Sequence, residues 1–225
     1  MTRDLSHWTP RPLPGTTAIA GRFVTAEPIT DARRFDELFE AYAADRDGAL
    51  WRWLPYGPFA SREAFHVFAE KTYRGADPLF HALIPAETGR AAGVAALMRL
   101  DAANGVAEVG HIALSPALQR RPAATEAQYL LMRRVFDELG YRRYEWKCND
   151  RNEPSKRAAE RLGFSFEGLF RQHLVVKGEN RDTAWFSIID SEWPELKAAF
   201  EAWLVPENFD GEGRQRRSLG EIRAV

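Results

Sequence analysis

The sequence predicts a single α/β (α+β) domain in which helices flank a mixed, mostly antiparallel sheet, and three observations predict it. After about residue 73 the apolar residues stop recurring at helical spacing and begin to alternate. Asn104-Gly105, set between two alternating runs, is a strong hairpin signal. A strand, a helix and a strand then follow one another between 106 and 148, and such an arrangement joins a parallel pair by a crossover.

Taken in order, residues 1–20 are rich in Pro and Thr and read as an extended arm, and 21–27 as a short strand. Thr30 or Asp31 can cap a helix that carries Phe35, Leu38, Phe39 and Tyr42 and stops before Gly48. Segment 50–55 is irregular and aromatic. Ser61 can cap a second helix, to about Tyr73. Strands at 79–84, 91–100 and 106–114 run antiparallel in succession, the first two joined by a turn at 87–90. A helix follows from about Thr125 to Leu139, since Thr125 and Gln128 have capping-box spacing and Gly140 suits a helix end. The next strand is 143–148, and a shorter helix ends at Leu162-Gly163. Strands over 164–176 and 183–189 flank a turn at 177–180, and Trp193-Pro194 opens a last helix to about Leu204. The domain body is thus 21–205, and 206–225 reads as a loose tail. There is no internal repeat.

Bulk properties narrow the function classes. The chain has 225 residues, 45% of them hydrophobic, with 7 Trp and 14 Phe, enough for one substantial core. Charges nearly cancel, 31 basic against 32 acidic, which argues against nucleic acid as a partner. The one cysteine, Cys148, excludes an intramolecular disulfide framework and a cysteine-rich metal site. No apolar run reaches membrane-spanning length and the first fifteen residues lack a signal core, so a cytoplasmic protein without membrane association is expected.

Segment 108–125, EVGHIALSPALQRRPAAT, joins a strand, a basic loop and a helix start. Unpaired amides and a positive dipole end suit a phosphate there, and Arg120 and Arg121 add forked donors. A solvated basic loop accounts for the spacing equally well. Glu108 shares a strand face with Val106, Gly110, Ile112 and Leu114, so a raised carboxyl pKa fit for a general base is one reading. An outward-turning bulge or an ion pair with an arginine is the other. Asn152 reads as a helix cap, with Pro154 in the first turn and Ser155 tolerated behind it. His111 has no partner at ligand spacing, so no metal is expected, and no nucleophile-elbow, phosphate-loop or dinucleotide glycine motif occurs.

Several strings coincide with one family. Residues 107–112 (AEVGHI), 119–124 (QRRPAA), 147–155 (KCNDRNEPS), 158–164 (AAERLGF) and 166–171 (FEGLFR) resemble the GNAT acyltransferase superfamily, specifically its RimJ/RimL-like branch. The resemblance spans about Arg22 to Trp203. It implies the GNAT fold, with strands 106–114 and 143–148 parallel and splayed, and acetyl-CoA as cosubstrate in the gap. The pantetheine arm would meet backbone at Ile112, Ala113 and Leu114, with Asn152 beside it. The pyrophosphate would sit on Gln119, Arg120, Arg121, Ala123, Ala124 and Thr125. Glu108 matches the proposed base and Ser155 the proposed acid that protonates the departing thiolate. One departure stands out: Pro122 replaces the loop's first glycine and removes an N–H donor.

The implied activity is acetyl transfer from acetyl-CoA to a primary amine, a protein N-terminus or a small molecule, directly within a ternary complex. No covalent acyl-enzyme is needed, and Cys148 packs on a strand. Trp51, Trp53 and His111 are the candidates for the acceptor side, although Trp51 and Trp53 would equally serve to cover the sheet. Rival readings are a non-catalytic acyl-CoA-binding module on the same fold, kept open by Pro122, and an interaction protein docking through 50–59. The acceptor is not selected by the sequence, and sheet edges could pair two copies in a homodimer.

Overall fold

One sheet organises the chain, and in the computed structural model, which describes residues 4–224, its helices pack on both faces. The strands are β1 (Ile19–Ala20), β2 (Val24–Pro28), β3 (Leu79–Pro85), β4 (Gly93–Asp101), β5 (Val106–Leu114), β6 (Arg143–Asn149), β7 (Ser165–Val176) and β8 (Glu179–Ile189). They lie in the order β1-β2-β3-β4-β5-β6-β8-β7. All pairs are antiparallel except β5 with β6. The helices are α1 (Phe35–Ala43), α2 (Arg62–Thr72), α3 (Pro122–Arg133), α4 (Glu153–Leu162), α5 (Trp193–Trp203) and α6 (Leu219–Arg223). A wider turn, Arg134–Glu138, prolongs α3.

Strand β2, next to the short edge strand β1, alternates between buried and half-buried residues, and β3 inside it is buried almost throughout. One core holds Phe35, Leu38 and Tyr42 of α1 and Phe65 and Ala69 of α2 against Phe80, Ala82 and Ala96. The other gathers α3, α4 and α5 through Leu130, Val135, Leu162, Phe200 and Trp203. Non-polar burial of this kind is the main stabilising contribution of such a domain.

The expected elements are present, with informative differences at their ends. Ser61 caps α2, its Oγ accepting from Ala64 N at 3.2 Å. Neither Thr30 nor Asp31 caps α1; Asp31 Oδ1 instead accepts from Arg33 N, which closes a local turn before the helix. Helix α3 begins at Pro122 rather than Thr125, with proline in the first turn, where a helix has no intrahelical use for its N–H. Strand β8 begins at Glu179, four residues before the alternation suggests.

The C-terminal segment corrects the reading of a loose tail. Ser218 and Glu221 form a capping box that starts α6, Leu219 is fully buried, and Asn208 bonds to backbone at Trp203 and Arg217. At the other end, Trp8 Nε1 donates to Ala103 O at 2.7 Å and Arg11 N to Ala102 O at 2.9 Å, so part of the arm lies against the β4–β5 turn.

Candidate active site

Strands β5 and β6 pair only from Val106 to Val109 against Arg143 to Trp146. Beyond that both continue, β5 to Leu114 and β6 to Asn149, with no pairing between them. The backbone edge of β5 after Val109 is therefore open on that side. A bulge sets the departure: between its pairs with Val94 and Ala96, β5 carries one extra residue, and His111 there takes φ +50°. A Cβ at Gly110 beside it would lie 2.5 Å from Met98 Sδ, so a larger residue there would need that side chain to shift.

Two openings flank this wedge and share Ile112 and Trp146 in their walls. The larger, about 670 Å3, runs past the start of α3 and is walled by Leu114, Arg120, Arg121, Thr125, Arg157 and Arg161. The positive end of α3 faces it through Pro122, Ala124 and Thr125, although Pro122 has no N–H and Ala124 N is taken by Arg121 O at 3.1 Å. Arg161 brings its guanidinium to the buried Thr125 Oγ1 at 2.8 Å, where desolvation lowers its pKa. Thr125 thus receives an arginine instead of capping a helix. Arg120 takes φ +60°, a left-handed setting that strains a bulky side chain. The segment that reads as a tail closes the far wall, through Phe209, Gly213, Arg214 and Gln215.

The smaller cavity, about 330 Å3, includes Glu108, His111, Lys147, Asn152, Ser155 and Arg181 in its lining. Bulges aim several of these groups. Arg99 takes φ +49° where β4 gains a residue against β5, and Gln172 takes φ +50° where β7 gains two against β8. Arg99 then donates to Glu108 Oε2 at 2.6 Å, and His173 Nδ1 meets Thr183 Oγ1 at 3.0 Å. Lys147 Nζ reaches the same Glu108 oxygen at 2.7 Å and Glu145 Oε2 at 2.6 Å, and lies 3.8 Å from the Trp185 ring centre. Glu145 is also held by Arg143, which forks onto Glu167. Glu108 is buried as its spacing suggests, but two cations surround it where apolar neighbours were expected. The ion-pair reading is the one the side chains adopt.

Ser155 Oγ accepts from Trp146 Nε1 at 3.0 Å, which leaves its own O–H to donate. Asn152 caps α4, its Oδ1 accepting from Ser155 N at 3.2 Å. Burial pushes the Cys148 thiol pKa up, so it is a thiol on a packed strand. Burial, then Arg99, lowers the His111 pKa; its ring stacks on Tyr56 and is neutral at pH 7.

Of the expected cofactor residues, Ile112, Leu114, Arg120, Arg121, Ala124 and Thr125 line the larger cleft. The Ala113 and Ala123 methyls are buried in the two cores, which leaves their backbone as the part a ligand would meet, and Gln119 Nε2 donates to Leu114 O at 2.9 Å. Asn152 lies in the smaller cavity with Glu108, Ser155, His111 and Trp53. Trp51 does not reach it: the ring is buried against Tyr42 and Phe59, as a packing residue would be. Sequence reasoning missed Arg99, Lys147, Arg161 and Arg181. Lys147 was within a motif already singled out, and its alternation with the buried Trp146 was the available signal; the bulge at Arg99 had none.

Comparison with known proteins adds independent findings. A family model described as an acetyltransferase (GNAT) domain matches residues 24–165. The chain is 54% identical to a GCN5-related N-acetyltransferase from Brucella melitensis of known crystal structure, with 98% of this chain and 100% of that one covered and a TM-score of 0.96. A crystal structure from Chromobacterium violaceum, assigned to GNAT acetyltransferases, is 40% identical over 86% of this chain and 96% of that one, TM-score 0.80. YdaF of Bacillus subtilis, provisionally named a ribosomal N-acetyltransferase, is 31% identical over 105 residues, 47% of this chain and 57% of that relative. The chain therefore spans less than two thirds of that curated relative.

Proposed function

The chain belongs to the GNAT acetyltransferase family, and from that premise we propose that it moves an acetyl group from acetyl-CoA to a primary amine by direct transfer in a ternary complex. The observation that carries the proposal is the unpaired wedge between β5 and β6, with a cationic cleft on one side and a smaller cavity on the other, meeting at Ile112 and Trp146.

The cleft fits the cosubstrate. Arg120, Arg121, Arg157 and Arg161 supply forked donors for its phosphates beside the start of α3. Pro122, in the first turn, costs α3 no intrahelical bond but removes one N–H that a phosphate could have used, and the four arginines stand in for it. The open edge of β5 from Gly110 to Leu114 offers backbone groups to the pantetheine amides. Acetyl-CoA supplies an activated thioester carbonyl.

The chain's own residues then divide the remaining work. Both cations on Glu108 bind Oε2, which leaves Oε1 to accept the amine proton, directly or through water. Arg99 and Lys147 fix the carboxylate's position. The Ser155 hydroxyl, held by Trp146, is placed to donate to the leaving sulfur. Alignment of the two reactants contributes most of the acceleration, since oriented groups reach effective molarities on the order of 10⁵ M or more.

The test combines thiol detection with product mass across a panel of primary amines. Purified protein is expected to release CoA thiol and to add one acetyl group to an amine. Glu108→Gln should slow release by about 10² to 10⁴ with CoA affinity unchanged. Release that is indifferent to this substitution contradicts the assignment of the base.

A further inference from the structure

The charges around the smaller cavity form a nearly closed set. Glu108, Glu145 and Glu167 are matched by Arg99, Lys147 and Arg143 through the contacts described above. Arg181, on β8, lies in the same wall and has no ion-pair partner among the described residues. Its Nε donates only to the neutral Thr183 Oγ1, at 3.2 Å. The residue is half-buried, and desolvation disfavours its charge. A guanidinium stays charged in proteins, and the Glu108 carboxylate, already bonded to two other cations, offsets this desolvation only in part, so an arriving anion would complete it.

The surroundings extend the pattern. An adjoining hollow of about 210 Å3 shares Trp53, Asn149, Val176 and Arg181 with the cavity, and Arg52, Arg151 and Lys177 stand in its wall against Glu179. Lys177 Nζ also donates to Trp51 O at 2.9 Å and Gly57 O at 3.2 Å, which ties the β7–β8 turn across the aromatic segment. A positive rim of this kind draws small anions inward. The tied turn and a cavity of about 330 Å3 suit a small acceptor.

We infer that Arg181 is an oxyanion-binding subsite for the acceptor, so that the amine acetylated here is a small molecule carrying its own carboxylate or phosphoryl group. The inference rests on the acetyl-transfer reading for the identity of the cavity and adds the class of its occupant. Forked donation from Arg181 would hold the anion while Glu108 Oε1 receives the amine proton, which separates the two ends of the acceptor.

Binding and turnover distinguish this inference from the reading beneath it. The full chain saturated with CoA is titrated with α-amino acids and their amides, and with O-phosphoethanolamine and ethanolamine, with binding followed by calorimetry or ligand-observed NMR. At least one acid is expected to bind about 10- to 100-fold tighter than its neutral counterpart, as a charge-assisted bidentate contact provides. The carboxylate and phosphate arms show which oxyanion is preferred. Arg181→Gln should collapse that ratio toward one without changing CoA affinity, and Arg181→Lys should keep part of it. The inference is overturned if acids and neutral analogues bind alike, if a neutral-bodied peptide N-terminus binds best, or if Arg181→Gln weakens both forms equally. Thiol release from no amine at all would contradict acetyl transfer, while the binding ratio would still decide the subsite.

Discussion

Arg161 and Glu108 illustrate how far a residue's neighbours decide its use. Arg161 has a hydroxyl partner, Thr125, and faces the cleft at the start of α3. Arg161→Gln is expected to weaken CoA binding roughly 10-fold or more, the size of one charge-assisted contact, while leaving the acceptor KM unchanged. Calorimetry checks it, and an unaltered Kd would remove Arg161 from the phosphate site. Glu108, Ser155 and Asn152 were legible because their strings sit at fixed places in a known motif. Their partners were not. Arg99 reaches Glu108 only because a left-handed residue at a bulge re-aims it, and bulges break the period of two on which strand reading depends. Trp51 misled for the opposite reason, since an aromatic residue reads alike whether it lines a pocket or fills a core.

Elements carry two further expectations. His81 of β3 is fully buried; no hydrogen bond of good geometry reaches its ring nitrogens, and the nearby backbone of Leu79 and Ala95 only partly offsets the lost solvation. Desolvation, then Arg134, lowers its pKa to about 4 from 6.5. The folded chain therefore takes up this proton less readily than the unfolded one. Its effect is absent above pH 6.5, and stability falls as pH drops from there to about 4, by on the order of 3 kcal/mol at 1.36 kcal/mol per pKa unit. Glu167 acts in the same direction over a lower range: Arg143 holds its pKa at about 2, so its contribution is complete above the ordinary carboxylate value of 4.5 and is lost as pH falls toward 2. The interval from 6.5 to 4.5 thus separates the two. His81→Leu should make the loss of stability there shallower in denaturant melts, and an unchanged slope would contradict the account. The segment after α5 supplies the second expectation. Leu219 is buried and Phe209 to Gln215 wall the cleft, so truncation after Leu204 should lower both Tm and CoA affinity; retention of full affinity would show that this wall is dispensable. Its Gly- and Arg-rich composition reads as loose because the capping box at Ser218 and Glu221 has almost no apolar run behind it. The start of α3 was misplaced similarly, because capping-box spacing at Thr125 outweighed proline's fitness for a first turn.

At the scale of the whole molecule, the β3–β4–β5 succession and the parallel crossover followed from alternation, one hairpin signal and one strand–helix–strand run, all of which are local, whereas the place of β8 between β6 and β7 did not. The wedge itself is not local. It exists because β5 bulges at His111 while β6 stays regular against β8, and only the resemblance to a known family anticipated it. The proposed function depends on that separation, which would open the sheet to a thioester on one side and an amine on the other. A crystal structure with CoA bound tests it most directly. The pantetheine arm is expected to lie between Gly110 to Leu114 and Lys147 to Asn149, with phosphates on Arg120, Arg121 and Arg161 and the sulfur near Ser155. CoA bound elsewhere, with the wedge closed by Trp146 or its neighbours, would contradict the account.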